Sequence, residues 1–525
     1  MEVCYAARTL RKACIDALGA WHHIICRETE RQKIFYMEAG LFHLADKVII
    51  IVYFAAMIGI GVLLYSRMQS FDDFLVAGRR MTAPLLICTL VSTYYGLGVL
   101  LAGSEISYES GVVNWFFDTA PAYVVILITA LVLAPKIRGR DFRSVPDIVH
   151  ASYGLPARVA AALASFIYSL PAFSIMGLGG LFVLLFDIPF TWGLVLGSAI
   201  ALVYTVLGGL MAVALTDAVQ FVLMAVTLAV AALIGVSMVG GVEQMEHLLP
   251  DHFLPTGGRP ASQLLVYGLT SLSVFIEPAF YQRIMAAESR RAIVMAMMVG
   301  VLLWMSYDWV ITTLGIAAHT AEIQGIISAP SSPDQAVTHF VIRLLPAGLT
   351  GLFAAGLAAA AMSTLDSYLL ISSTNLIYDI LNPLRGGKMS DASLLRWTRV
   401  TLVVSTAANI GICLLFRNVE RLWIFITAIL ICTALVPVMA AFYWPRVKRR
   451  AGQAAALTGF GLVMGYYLLT GLAGTWDEAE YAYIWSGRFF AWDVTLNQDY
   501  GILIILPVVI VTFLAAQLLP GGERA

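Results

Sequence analysis

About thirteen uninterrupted apolar runs, each near the ~20 residues that a helix needs to cross a bilayer, recur along this chain of 525 residues. They fall at 47–66, 83–103, 115–135, 157–186, 189–208, 212–239, 264–284, 292–318, 348–378, 397–416, 422–444, 453–473 and 501–519. In lipid every backbone polar group must be satisfied internally, so only helices or a closed barrel can span. Barrel strands alternate apolar and polar residues; these runs are continuous, so the expected fold class is an all-α polytopic membrane protein. The charge content agrees. Only 12% of the residues are Asp, Glu, Lys or Arg, about half of what a soluble domain carries.

The same numbers exclude several functions. The 32 Lys and Arg balance 33 Asp and Glu, and no basic domain stands out, so nucleic acid is not an expected partner. None of the six cysteines forms a CxxC pair, so neither a disulfide framework nor a metal site is readable. No histidine sits mid-span, which argues against a haem or a histidine proton relay at membrane depth. No nucleophile triad or His/Cys/Asp cluster supports an enzyme, and no cofactor is expected.

Loop charge sets the orientation. The loops after the odd-numbered runs hold eighteen Lys and Arg, among them Arg79, Arg80, Lys136, Arg138, Arg283 and Arg449. The alternate loops hold five: Arg259, Arg343, Arg417, Arg421 and Arg488. The expected topology is therefore N-terminus outside and C-terminus cytoplasmic, in the plasma (inner) membrane. Residues 1–36 break the pattern, with Arg8, Arg11, Lys12, Arg27, Arg31 and Lys33 on the outer side. They lack the apolar core of a signal peptide. Residues 1–45 are expected to be an N-terminal extension, with Met37 as the alternative start, ahead of a transmembrane domain at 46–520.

Two runs have centres unsuited to a straight helix. The second contains Ser92-Thr93-Tyr94-Tyr95-Gly96-Leu97-Gly98. The seventh contains Glu277-Pro278, where proline removes a donor and clashes with the preceding turn and a carboxyl enters an apolar run. Glycine and proline also merely kink membrane helices. These two breaks, however, lie five runs apart, so the second crosses in the opposite sense to the first. Paired interruptions in inverted halves point to a transporter binding site. In the ninth run, Ala360, Ser363, Thr364 and Ser367 follow i, i+3, i+4, i+7 and share a helix face. Two hydroxyls with the free carbonyls of a broken helix suit Na⁺, a hard cation that takes oxygen ligands. The alternative is that they bond their own backbone or a neighbouring helix. Intramembrane carboxyls are functional candidates by default, here Asp118, Asp217, Glu277, Asp308 and Asp366.

Several segments resemble the sodium/solute symporter (SSS) family. They are Tyr204-Thr205-Val206-Leu207-Gly208-Gly209 with Thr216-Asp217 and Gln220, Gly351 through Met362-Ser363-Thr364-Leu365-Asp366-Ser367 to Asp379, Gln282-Arg283-Ile284-Met285, and Pro146-Asp147 with Tyr153-Gly154. The resemblance covers roughly residues 45–470. It implies a leucine-transporter-like fold with two inverted five-helix repeats, at about 82–240 and 264–446. It implies a sodium site made of the carbonyls of Ser92, Tyr95 and Ala360 and the hydroxyls of Ser363 and Thr364. It places Asp118 at an acidic substrate contact of sugar-carrying relatives, and Glu277, Tyr94, Val99, Phe280 and Tyr281 around the solute. Asp217, Asp366 and Ser367 become a possible second cation position, where Asp366 replaces a hydroxyl and favours a proton. The implied activity is inward Na⁺ movement coupled to uptake of a small organic solute by alternating access, with Na⁺, the solute and the bilayer as partners. A transporter-like sensor is the competing reading, disfavoured because no kinase-like domain follows the last run. With two carboxyls near the cavity, an amine, zwitterion or polyol is easier to accept than a simple carboxylate.

The topology is open to a direct check. A reporter fused after Arg450 should read cytoplasmic and one within 474–499 external; the reverse at both sites would overturn the assignment.

Overall fold

The computed structural model describes residues 42–64, 70–330, 333–415, 419–477, 482–489 and 492–520. Most of the expected extension, Met37 included, lies outside the described residues, as does the side chain of Asp118. The spanning helices are α1 (Leu44–Leu64), the bent pair α2 (Ala83–Tyr94) and α3 (Leu97–Ser110), and α4 (Asn114–Arg138). Next come α5 (Leu155–Tyr168), α6 (Ala172–Phe186) and α7 (Phe190–Met238). The second broken span is α8 (Ala261–Thr270) and α9 (Pro278–Ala286), followed by α10 (Arg290–Ile323), α11 (Leu349–Leu384) and α12 (Asp391–Leu415). The last three are α13 (Leu422–Tyr443), α14 (Arg449–Ala473) and α15 (Gly501–Leu518).

Among the described residues ten helices are long and apolar enough to span a membrane, or eleven with the pair α2–α3 counted as one span bent by 52°. Part of the difference from about thirteen has a physical cause. The runs at 189–208 and 212–239 form the single 49-residue α7. A straight helix of that length would run about 74 Å, more than twice the ~30 Å of hydrocarbon. Gly209 breaks it, at φ 54° and ψ −158°, a region open essentially to glycine alone. The run at 397–416 forms α12, whose C-terminal end borders residues outside those described.

The break expected in the second run sits at Tyr95–Gly96, and the one in the seventh at Glu277, after a 3₁₀ stretch at Ser271–Ile276. A third break was not expected: the run at 157–186 is interrupted at Ser169, Leu170 and Pro171, between α5 and α6. The all-α expectation also fails in one loop. Between α14 and α15, strands β1 (Thr475–Asp477), β2 (Ala482–Phe489) and β3 (Trp492–Asn497) form an antiparallel sheet in the order β1-β2-β3. Its register pairs Thr475 with Ile484 and Ile484 with Asn497.

Helix α11 is the axis of the packing. Nearly all its residues from Phe353 to Thr374 are buried, and it packs against α7, α6, α1 and α2. Its Ala358–Ala361 run lets those neighbours come close. Its N-terminus is capped from outside: Asp46 of α1, fully buried, accepts from the Gly348 and Gly351 amides, both at 2.7 Å. A carboxylate there satisfies orphan donors and meets the positive end of the helix. Large side chains such as Leu63, Leu233, Leu302 and Val511 point outward, as lipid contact requires.

Gly209 is the test of this architecture. A Cβ there would lie 2.7 Å from both the Phe74 ring and the Phe74 carbonyl. Gly209→Ala should destabilise the protein by about 1–3 kcal/mol. Gly461→Ala, where a Cβ meets nothing within 4 Å, should be neutral or slightly stabilising. Melting of the two variants in detergent separates them; equal melting temperatures would refute the account.

Candidate functional site

The three helix breaks and the polar face of α11 converge. Gly96 begins α3 with extended backbone and no side-chain cap. A Cβ on Gly96 would overlap the Thr364 hydroxyl, so glycine is what lets the unwound strand press against α11. There the Ser363 hydroxyl donates to the Ser92 carbonyl at 2.9 Å and to its own-helix Ala360 carbonyl at 3.2 Å. The Thr364 hydroxyl donates to the Thr93 carbonyl at 3.1 Å and to Ala360 at 3.3 Å. Four of the five expected sodium ligands, Ser92, Ala360, Ser363 and Thr364, thus lie together. The carbonyl that meets Thr364 is that of Thr93. The fifth, Tyr95, is the residue at which α2 ends, and its hydroxyl donates to the Trp304 carbonyl at 3.1 Å.

Beside these oxygens opens a cavity of about 930 Å³, its mouth included. Tyr94, Gly96, Gly98 and Val99 line it from the first break, and Leu170 and Pro171 from the third. Thr364 and Tyr368 of α11 and Trp423 of α13 close it. Of the expected solute contacts, Tyr94 and Val99 are in this wall. Phe280 and Tyr281 are not: Phe280 packs behind Tyr94, ring centroids 5.1 Å apart, and the buried Tyr281 donates to the Phe275 carbonyl.

Glu277 also stands one layer behind the wall. It is fully buried and caps α9, accepting from the Ala279 amide at 3.3 Å, with Pro278 at the first helical position. Proline suits that place because its missing N–H would be unpaired anyway. The rest of the carboxylate is taken by two hydroxyls of the cavity wall, Tyr168 from α5 and Tyr368 from α11, the latter at 2.9 Å. Neither tyrosine was singled out from sequence; a tyrosine inside an apolar run gives no signal of its own.

Below the first oxygen cluster lies a second. Asp217 is fully buried and accepts from the hydroxyls of Thr89 at 2.5 Å and Thr93 at 3.3 Å. Thr93 also meets the Ser367 hydroxyl at 3.1 Å. Asp366, equally buried, accepts from the Tyr204 hydroxyl at 2.7 Å. The expected trio of Asp217, Asp366 and Ser367 is here, but with a cation the sequence analysis had placed in a loop. Arg283 is fully buried. Its guanidinium donates to Ser367 at 2.6 Å, Thr93 at 2.8 Å and Thr89 at 3.2 Å, and lies 3.6 Å from the Asp217 carboxylate. One guanidinium faces two carboxyls. Asp217 Oδ1, Asp366 Oδ1 and the nearby Gln220 Oε1 are buried and accept no hydrogen bond.

Comparison with known proteins follows this geometry. Residues 74–460 match the sodium:solute symporter family. The osmoregulated proline transporter OpuE of Bacillus subtilis is 25% identical over 80% of this chain and 88% of its own length. A sodium/pantothenate symporter of Haemophilus influenzae is 24% identical over 81% of this chain and 90% of its own. A sodium/glucose cotransporter of Vibrio parahaemolyticus is 25% identical over 70% and 74%. Among solved structures, the outward-open state of a Na⁺-coupled sialic acid symporter superposes with a TM-score of 0.75 at 17% identity, covering 92% of this chain and all of that one. The fold is that of such symporters, with the broken helices at its centre. On this evidence the chain is an integral membrane transporter rather than an enzyme, and it belongs to the sodium:solute symporter family.

Proposed function

We propose that Na⁺ binds between the α2–α3 break and α11, held by the hydroxyls of Ser363 and Thr364 and by backbone carbonyls of Ser92, Tyr95 and Ala360, and that it drives uptake of a small organic solute through the adjoining cavity. One observation carries this reading. The Ser363 and Thr364 hydroxyls face the carbonyls that the break frees, and Thr364 lines the cavity as well. Irregular backbone is tolerated at membrane depth where it is buried in protein or lines a cavity, and transporters use its carbonyls for the coupling cation. The solutes named for the relatives, proline, pantothenate and glucose, are too diverse to select one here. Asp118 is kept as a solute contact. The loop charges favour a cytoplasmic C-terminus. Arg283, counted there, is buried, yet the remaining excess still favours the same side.

The test is uptake into proteoliposomes under an imposed Na⁺ gradient. Ser363→Ala with Thr364→Ala should abolish Na⁺ stimulation while leaving the protein folded, because alanine keeps helix propensity. Gly96→Ala should do the same by holding the two elements apart. An unchanged apparent Na⁺ affinity in the double variant would refute the assignment.

The second cluster is proposed to hold one further positive charge, a proton or a cation, at Asp217, Asp366 and Ser367. Arg283 neutralises one carboxylate, and two ionised carboxylates in a low-dielectric setting repel. Asp366→Asn should remove the need for that charge and change the Na⁺ cooperativity or pH dependence of uptake. Uptake with the same cooperativity, pH profile and maximal rate would mean that nothing titrates or binds there.

A further inference from the structure

We infer that the solute carries an ammonium centre with apolar substituents, seated against an aromatic wall that Glu277 polarises from behind. The inference rests on the symport reading and concerns the same cavity.

Among the described residues, the wall contains no Asp, Glu, Lys, Arg or His side chain. It does contain six aromatic rings, Tyr94, Tyr168, Phe173, Tyr267, Tyr368 and Trp423. Ring faces attract cations, and alkylated ammonium groups most of all, because their apolar shell loses little by leaving water. A simple carboxylate is disfavoured by the same negative ring faces.

The hydroxyls of the wall have the same bias. Tyr168 and Tyr368 give their hydrogens to Glu277, Thr364 gives its hydrogen to backbone carbonyls, and Thr93 gives its hydrogen to Asp217. The oxygens of Tyr168, Tyr368 and Thr364 have lone pairs left to offer a solute, while that of Thr93 already accepts from Arg283. An ammonium is a donor and a cation, whereas a carboxylate needs donors, most of which this wall has already committed. The Ser174 hydroxyl and the Trp423 indole N–H make no hydrogen bond with the described residues of the protein.

The first-turn amides of α3, beginning at the uncapped Gly96, leave a place for a carboxylate if the solute is a zwitterion. An ammonium centre is shared by simple cations and zwitterions, and the experiment separates them.

The full chain, purified in detergent and reconstituted, is screened with and without Na⁺ by thermal shift and by gradient-driven uptake. The probes are tetramethylammonium, choline, glycine betaine and proline, against glucose, pantothenate and lactate. At least one ammonium probe should stabilise the protein more in Na⁺ and be taken up. Activity of choline or tetramethylammonium identifies a simple cation; activity confined to proline or glycine betaine identifies a zwitterion. For the active probe, Glu277→Gln and, separately, Trp423→Leu should raise the half-saturating concentration about tenfold, while that for Na⁺ shifts far less. If none of the four ammonium probes binds or is taken up, or if both variants leave the solute affinity unchanged, the inference falls. Na⁺-driven uptake of a non-ammonium probe alone would sink it and leave symport standing. A protein that Na⁺ neither stabilises nor drives would remove the symport reading itself.

Discussion

A helix broken inside a bilayer must find new partners for the amides and carbonyls that it frees, and the centre of this protein is organised by that demand. The break at Tyr95–Gly96 is met by hydroxyls of α11, and the break at Glu277 by the glutamate's own carboxylate capping the next helix. At the third, Pro171 has no amide to satisfy, and the Ala172 amide turns back to the Leu170 carbonyl at 2.9 Å. The first and third breaks line one cavity, and Glu277 at the second stands behind its wall, holding Tyr168 and Tyr368. The long, almost fully buried α11 is the partner common to the first two breaks, through Ser363, Thr364 and Tyr368.

The buried ion pair of Arg283 and Asp217 is a poor source of stability. Desolvating both charges offsets their attraction, and such pairs are often replaced by apolar groups without loss. Its geometry is instead that of a hub. The guanidinium of α9 reaches Thr89 and Thr93 on α2 and Ser367 on α11, and faces Asp217 on α7. Four elements are thereby tied through one side chain. Losing Arg283 would leave Asp217 an uncompensated buried charge, a far larger cost than the pair's net worth.

Much of this was legible in the sequence, for reasons that differ by residue. Glycine and proline mark breaks because their backbone chemistry is local, so the positions of two breaks were readable. Pro171 gave the same signal and was missed because the apolar run around it is long enough to hide an interruption. The i, i+3, i+4, i+7 face of α11 was readable because helical periodicity fixes which side chains lie together. Arg283 was misread for a complementary reason: an arginine at the end of an apolar run resembles a loop anchor until the partners that bury it are known. Tyr168 and Tyr368 lie 109 and 91 residues from Glu277, so only the fold brings them to it. The apparent solute contacts Phe280 and Tyr281 share a helix with Glu277 but point into packing.

Thr93 and Thr364 place the three parts of the site in direct contact. Both line the cavity. Thr364 bonds the carbonyl of Thr93, and the hydroxyl of Thr93 bonds Asp217 and receives Arg283. A cation that enters beside Ser363 and Thr364 must turn their lone pairs toward itself, which releases the Ser92 and Thr93 carbonyls and re-aims part of the cavity wall. Coupling between two ligands is a free energy shared by both, and it is reciprocal. If the ion reshapes the wall in the solute's favour, the solute holds the ion by the same factor, typically about 5–150-fold. No long pathway is needed for that linkage here, because one hydroxyl belongs to both surfaces. The Arg283 cluster joins them through the other threonine, so the charge state of Asp217 and Asp366 bears on the backbone segment shared by the proposed ion site and the cavity wall.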